Sequence, residues 1–215
     1  WYNGDDTKEL LGSLNKVNTG NGKNIVNVRG HNNYISGGTN MDIIRLYSDH
    51  NIAIGGDGND YLNLYWGADS NNYLRGGNGK DNYCITMDST NRTSNTIDLN
   101  NDHEAKDGDV VQFARESSVN FIFNKVEGDL VLTHITGGVY KFKGYDTNPL
   151  EKIIFMDKTI YAAEIENIAI NSALMVSDAS LSFVEQSAFE GEFNSLTVYE
   201  DGNQNKQQYI TSNIS

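Results

Sequence analysis

GGDGNDYLN, residues 55–63, places glycines at its first, second and fourth positions, an aspartate at its sixth and an aliphatic residue at its eighth. Units of the same length run backward from it without a slip: LYSDHNIAI (46–54), GGTNMDIIR (37–45), VRGHNNYIS (28–36) and TGNGKNIVN (19–27). Forward, three inserted residues, Leu64, Tyr65 and Trp66, precede GADSNNYLR (67–75) and GGNGKDNYC (76–84), which makes seven units in frame, with LGSLNKVN before them as a frayed eighth. Position six reads Asn24, Asn33, Asp42, Asn51, Asp60, Asn72 and Asp81, and position eight reads Val26, Ile35, Ile44, Ala53, Leu62, Leu74 and Tyr83. One apolar column per nine residues is too sparse for a helix face. A glycine-rich hexad followed by about three extended residues is instead a turn and a short strand. Two units then close one flattened coil, and stacked coils form two parallel sheets about a thin aliphatic core, with strands roughly 4.8 Å apart.

These units resemble the glycine-rich nonapeptide repeats of the repeats-in-toxin (RTX) family. The resemblance implies an all-β fold, a right-handed parallel β-roll over residues 1–84, a β-rich capping region over 85–158 and an acidic C-terminal segment over 159–215 with a short helix or tail. It also implies calcium held between turns stacked on the same side, two units apart. Asn24, Asp42 and Asp60 are 18 residues apart, and Asp81 follows Asp60 by 21, which is 18 plus the three inserted residues. Asn33, Asn51 and Asn72 keep the same spacings on the opposite edge, and the doublets Gly37-Gly38, Gly55-Gly56 and Gly76-Gly77 all fall on the aspartate edge. The roll is therefore expected to be one-sided, because a neutral asparagine amide offers a hard cation one oxygen and no charge. By the family pattern, one ion would draw on Gly38, Asn40, Asp42, Gly55, Asp57 and Asp60. A second would draw on Gly56, Gly58, Asp60, Gly76, Asn78 and Asp81. A third set, Gly20, Gly22, Asn24, Gly37, Thr39 and Asp42, departs from the pattern at Asn24. Stacked aspartates beside inward carbonyls repel one another unless a cation lies among them, so metal binding and folding are expected to be coupled.

Composition narrows the rest. The chain has 215 residues, 16 basic against 29 acidic side chains, and a net charge of −13, which repels nucleic-acid phosphate and favours cations as partners. One cysteine excludes a disulfide framework and a cysteine-based zinc cluster. No stretch approaches the ~20 apolar residues of a membrane span, and WYNGDDTKEL lacks the features of a signal peptide. The expected setting is a secreted, extracellular protein.

After residue 84 the polar stretch 85–108 surrounds a strand expected at Thr96 to Leu99. DVVQFA, VNFIFNKV, GDLVLTHI, GVYKFKGY and LEKIIFM then read as strands, with hairpin turns at VEGD and TGG. Ile165, Ile168, Ala169 and Ala173 give a helix spacing. Residues 159–205 hold eight acidic side chains and no Lys or Arg, a composition similar to type I secretion signals; the alternative is a solvated acidic face with Phe183, Phe189 and Phe193 packed on the β-rich region. The four histidines, 31, 50, 103 and 134, make no zinc motif, and no GxSxG, P-loop or dinucleotide fingerprint is present, so no enzyme is expected. Cys84 reads as a buried or edge thiol, and Tyr65 with Trp66 as a packed bulge or an aromatic contact for a glycan. The resemblance implies a calcium-binding module of a secreted bacterial toxin or adhesin, linked to virulence, with upstream domains and the type I secretion apparatus as partners. The alternative is a C-terminal module that recognises a host receptor or glycan.

Overall fold

The computed structural model describes residues 4–65, 71–86, 94–100, 108–177, 196–200 and 208–212, with side chains described as far as Ala169. The chain falls into two compact units, Trp1–Ala169 and Ile170–Ser215. Strands alternate between two sheets in the first: β1 (Thr7–Leu10), β2 (Lys16–Asn18), β3 (Ile25–Val28), β4 (Tyr34–Thr39), β5 (Ile43–Leu46), β6 (Ile52–Asp57), β7 (Tyr61–Leu64), β8 (Tyr73–Asn78), β9 (Asn82–Ile85), β10 (Ser94–Asp98) and β11 (Val110–Phe113). β12 (Phe121–Val126), β13 (Asp129–His134), β14 (Val139–Lys143), β15 (Lys152–Ile154) and β16 (Thr159–Tyr161) follow, and then helix α1 (Ala162–Ser177). One sheet runs β1-β3-β5-β7-β9-β11-β15-β16 and the other β12-β13-β14-β10-β8-β6-β4-β2. The first unit is a parallel β-solenoid, all-β apart from α1 and one 3-10 turn. The second holds β17 (Leu196–Glu200) and β18 (Gln208–Ser212), paired antiparallel.

The register follows the repeat. Ile25 pairs with Ile43, Ile43 with Tyr61, and Tyr61 with Asn82, so the three-residue insertion is absorbed between β7 and β8 without disturbing either sheet. Tyr65 stacks on Tyr47 with ring centroids 4.8 Å apart, and Arg29 lies over the Tyr47 ring, 4.5 Å from its centroid. Tyr65 is thus a packed residue. Trp66 lies outside the described residues.

Three features go beyond the repeat frame. Strands β4, β6 and β8 are six residues long and run through the glycine doublets, so the turns on that side are shorter than a hexad. The four-residue strands of the other sheet bury two columns, position eight (Val26, Ile44, Leu62, Tyr83) and the residue two further on (Val28, Leu46, Leu64, Ile85). Finally, the parallel stack does not stop at residue 84: β10 pairs with β8, β11 with β9, β14 with β10 and β15 with β11, all parallel. β12 and β13 add an antiparallel hairpin whose turn puts Glu127 and Gly128 at φ 51 and 85, a conformation open to Gly and disfavoured elsewhere. Phe113, Phe121 and Phe155 cluster there, with Phe113 and Phe155 stacked at 5.2 Å. Ile165 and Ala169 of α1 are fully buried, as the helix spacing requires.

Candidate metal centre

The ends of β4, β6 and β8 and the turns that follow them lie on one edge of the solenoid. Together they carry all of the expected ligands: Gly38, Asn40 and Asp42; Gly55, Gly56, Asp57, Gly58 and Asp60; Gly76, Asn78 and Asp81. Register brings Gly38 beside Gly56 and Gly56 beside Gly77, and pairs Thr39 with Asp57 and Asp57 with Asn78. Stacking is so close that a Cβ on Gly56, at φ 119, would strike the Gly38 carbonyl.

Position six is built the same way on both edges. Its Oδ1 accepts a hydrogen bond from the backbone N–H of position six in the coil before. Asp42 takes the Asn24 N–H at 2.7 Å, Asp60 the Asp42 N–H at 2.7 Å and Asp81 the Asp60 N–H at 2.8 Å. On the opposite edge Asn33 takes the Asn15 N–H at 2.9 Å, Asn51 the Asn33 N–H at 2.8 Å and Asn72 the Asn51 N–H at 2.9 Å. Except at exposed Asn15, each bond satisfies a buried amide that would otherwise be stranded by the turn.

Asparagine and aspartate part at the second side-chain atom, Asn33 excepted, whose buried Nδ2 also has no hydrogen-bond partner. Asn24 Nδ2 donates to the Gly22 carbonyl of its own turn at 3.0 Å, and Asn51 Nδ2 donates to the Ser48 and Asp49 carbonyls at 3.1 Å. In the aspartates that atom is an oxygen, which cannot donate when ionised. Asp42 Oδ2 and Asp60 Oδ2 are buried and have no hydrogen-bond partner. Both lie against the first glycine of their doublet: a Cβ on Gly37 would collide with Asp42 Oδ2 and crowd the Gly55 carbonyl, and one on Gly55 would collide with Asp60 Oδ2 and crowd the Gly76 carbonyl. Gly76 meets Asp81 Oδ2 in the same way. The inward position-one glycines therefore leave the space that Val28 and Leu46 fill on the other side, and the aspartate occupies it.

Burial raises the Asp42 pKa and pushes that of Asp60 up to about 7, while the Asp42 and Asp57 charges add to the Asp60 shift and the hydrogen bond from the Asp42 N–H opposes it. Ionised, Asp42 and Asp60 put two oxygens in this row that no side chain among the described residues hydrogen-bonds. Among the described residues no three His, Cys, Asp or Glu side chains are grouped to hold a metal ion. A cation here would draw on the aspartate column and on main-chain carbonyls, which is the oxygen-only donor set that suits a hard ion. The carbonyls are partly engaged: Asn78 accepts the Gly58 N–H at 2.8 Å and Gly20 the Thr39 N–H at 3.1 Å, each keeping a second lone pair.

Both columns reach further than the repeats. Asn95 Oδ1 accepts the Asn72 N–H at 3.1 Å, and Asp109 Oδ1 accepts the Asp81 N–H at 2.8 Å. Asn95-Thr96-Ile97 and Asp109-Val110-Val111 keep the triplet of Asn or Asp, any residue and an apolar residue that fills positions six to eight of each repeat, and that triplet is the signal by which the sequence could have revealed them. In the next coil Lys152 pairs with Val110, which puts Glu151 at position six, and its N–H donates to the Asp109 carbonyl at 2.8 Å.

The fold and this edge define a parallel β-solenoid with a one-sided carboxylate column. No protein-family model matches the chain, and no curated protein matches it.

Proposed function

We propose that the chain is a calcium-binding module of the repeats-in-toxin type whose solenoid forms fully only when a divalent cation lies along the aspartate edge. One observation supports this above the others. Within a single molecule, Asn and Asp occupy equivalent turns; the Asn24 and Asn51 amides close hydrogen bonds to their own carbonyls, and the Asp42 and Asp60 oxygens at the same place have no donor. A bound cation supplies the positive charge that those oxygens and the neighbouring carbonyls lack. Asp42 and Asp60, with carbonyls of Gly38, Asn40, Gly55 and Asp57, would hold one ion; Asp60 and Asp81, with carbonyls of Gly56, Gly58, Gly76 and Asn78, would hold another. The Asp side chains keep their Oδ1 bonds to the coil before, so the same residues hold both the ion and the stacking of the coils.

The cellular setting rests on the resemblance of the repeats: a module of a secreted bacterial toxin or adhesin, extended where calcium is scarce and folded outside the cell, in support of type I secretion. Recognition of a host receptor or glycan is the second reading. It is favoured by exposed Val119, Ile122, Ile135 and Met156 in the β-rich region.

Titration of the chelator-treated chain with calcium, followed by calorimetry and far-ultraviolet circular dichroism, tests the first reading. Saturable heat accompanied by a gain in β signal is expected, with magnesium much weaker. Asp60→Ala should weaken both sites, and Asn51→Ala should leave the calcium titration nearly unchanged. Equal losses in the two variants, or a fully folded chain without calcium and no heat on its addition, would refute the proposal.

A further inference from the structure

Far from the aspartate edge, the hairpin joining β13 to β14 carries a constellation that the calcium reading does not use. His134 ends β13 with a side chain 6% exposed, packed edge-on against Phe121 at 5.0 Å. Its Nδ1 lies 2.7 Å from the Thr136 hydroxyl and 3.2 Å from the Thr136 backbone N–H. The N–H can only donate, so Nδ1 is an acceptor and the ring proton is on Nε2. Nε2–H then donates to Glu116 Oε2 at 3.2 Å, and the same oxygen accepts the Asn120 amide at 3.1 Å. Glu116 is itself mostly buried, 12% exposed at its side chain. Thr136 is exposed at the hairpin tip.

A histidine accepting the N–H two residues on is a sufficient local clasp for a turn, and an asparagine would serve as well. The buried Glu116 beneath the ring is more than that clasp requires, since a carboxylate withdrawn from water is costly without a counter-charge. What Glu116 adds is a fixed tautomer and ring orientation, with Nδ1 left as the acceptor that faces the Thr136 hydroxyl and N–H. Hydroxyl, base and orienting carboxylate in one hydrogen-bonded line is the arrangement that activates a nucleophile.

We propose that Thr136 is an activated hydroxyl that accepts acyl groups from activated esters. Thr136 Oγ1 forms a bond to the ester carbonyl carbon while its proton passes to His134 Nδ1. The carbon–oxygen bond to the leaving alcohol then breaks, and the His134 proton is returned to that alcohol, leaving an ester on Thr136 and no net redox change. The inference is independent of calcium binding, because none of these groups touches the aspartate edge.

The test incubates the full calcium-treated chain with p-nitrophenyl acetate and follows p-nitrophenolate release and the acetylated peptides by mass spectrometry. Thr136 should be acetylated at least tenfold faster than exposed Thr7, within the 10²–10⁴-fold range of general-base assistance. Thr136→Ser should keep the reaction, His134→Asn should abolish the excess while a thermal melt shows the chain still folded, and Glu116→Gln should fall between. Acetylation of Thr136 no faster than Thr7 in the unaltered chain would overturn the proposal, whatever the variants do. So would an equal rate in folded His134→Asn.

Discussion

Asp60→Asn is the substitution on which the two edges give opposite answers. The new Nδ2 would stand where Asp60 Oδ2 now has no partner and could donate to carbonyls of its own turn, as Asn51 Nδ2 does at 3.1 Å to Ser48 and Asp49. Oδ1 would go on accepting the Asp42 N–H. The carboxyl removed is one whose pKa burial has pushed from 3.8 up to about 7. A folded-state pKa above the unfolded one means that the native chain holds the proton more tightly. The penalty for ionising it is therefore absent below the unfolded value, grows as pH rises through the interval, and is complete above about 7. Its full size is on the order of 4 kcal/mol. In chelator, urea denaturation should find Asp60→Asn more stable than the parent at pH 8 by up to that amount, and equal to it near pH 4. In millimolar calcium the order should reverse, because the variant has lost a charged ligand while the parent gains binding energy. Equal stabilities in chelator at pH 8, or a variant weaker than the parent there, would refute the claim that the ionised column is uncompensated.

Gly55→Ala should destabilise the chain by about 1–3 kcal/mol and lower calcium affinity, since its methyl would enter the space of Asp60 Oδ2; paired urea and calorimetric titrations check both. Asp109→Ala should cost about 1–3 kcal/mol by leaving the buried Asp81 N–H without its acceptor, whereas Asp109→Asn, which keeps Oδ1, should cost much less. A thermal melt of the two variants side by side decides it. Tyr65→Ala should lose about 0.5–1.5 kcal/mol for the Tyr47 stack beyond the buried area itself, with calcium binding retained.

Much of the solenoid was legible because its requirements are local and recur. Asp60-Tyr61-Leu62 sets a turn acceptor and an inward aliphatic two residues later, and Gly55 marks where the chain makes room for a carboxylate. What escaped the nonapeptide frame has equally local reasons. Val28 and Leu46 stand at position one, where the other edge has glycine, and Leu64 falls in the insertion, so a column averaged over all units hides their burial. Asn95 and Asp109 lie 23 and 28 residues beyond their partners, and the longer loops destroy the frame while the triplet survives. The strands after residue 108 were readable one by one from alternation. Their pairing was not, because nothing in β14 or β15 alone says that each joins a parallel neighbour while β12 and β13 turn back on themselves. The His134 constellation escaped because Glu116 meets His134 only through the fold, 18 residues away in the chain.

These spacings bear on what the repeat is for. Successive position-six residues are separated by 18, 21, 23 and 28 residues, yet every pair makes the same Oδ1 bond. Loop length is thus free, while the distance from the position-six acceptor to the inward aliphatic residue is fixed at two. Insertions should be tolerated or lethal according to which of these they alter. Three residues, Gly-Ser-Gly, added after Tyr65 should cost less than about 1 kcal/mol, since closure entropy grows only slowly with loop length. A single residue added between Asp60 and Tyr61 should send Leu62 to the solvent face and Tyr61 inward, with every later side chain of that strand reversed. That variant should lose the calcium-dependent β signal. If the single insertion folds as well as the loop insertion, the spacing of the acceptor and aliphatic pair does not specify the coils.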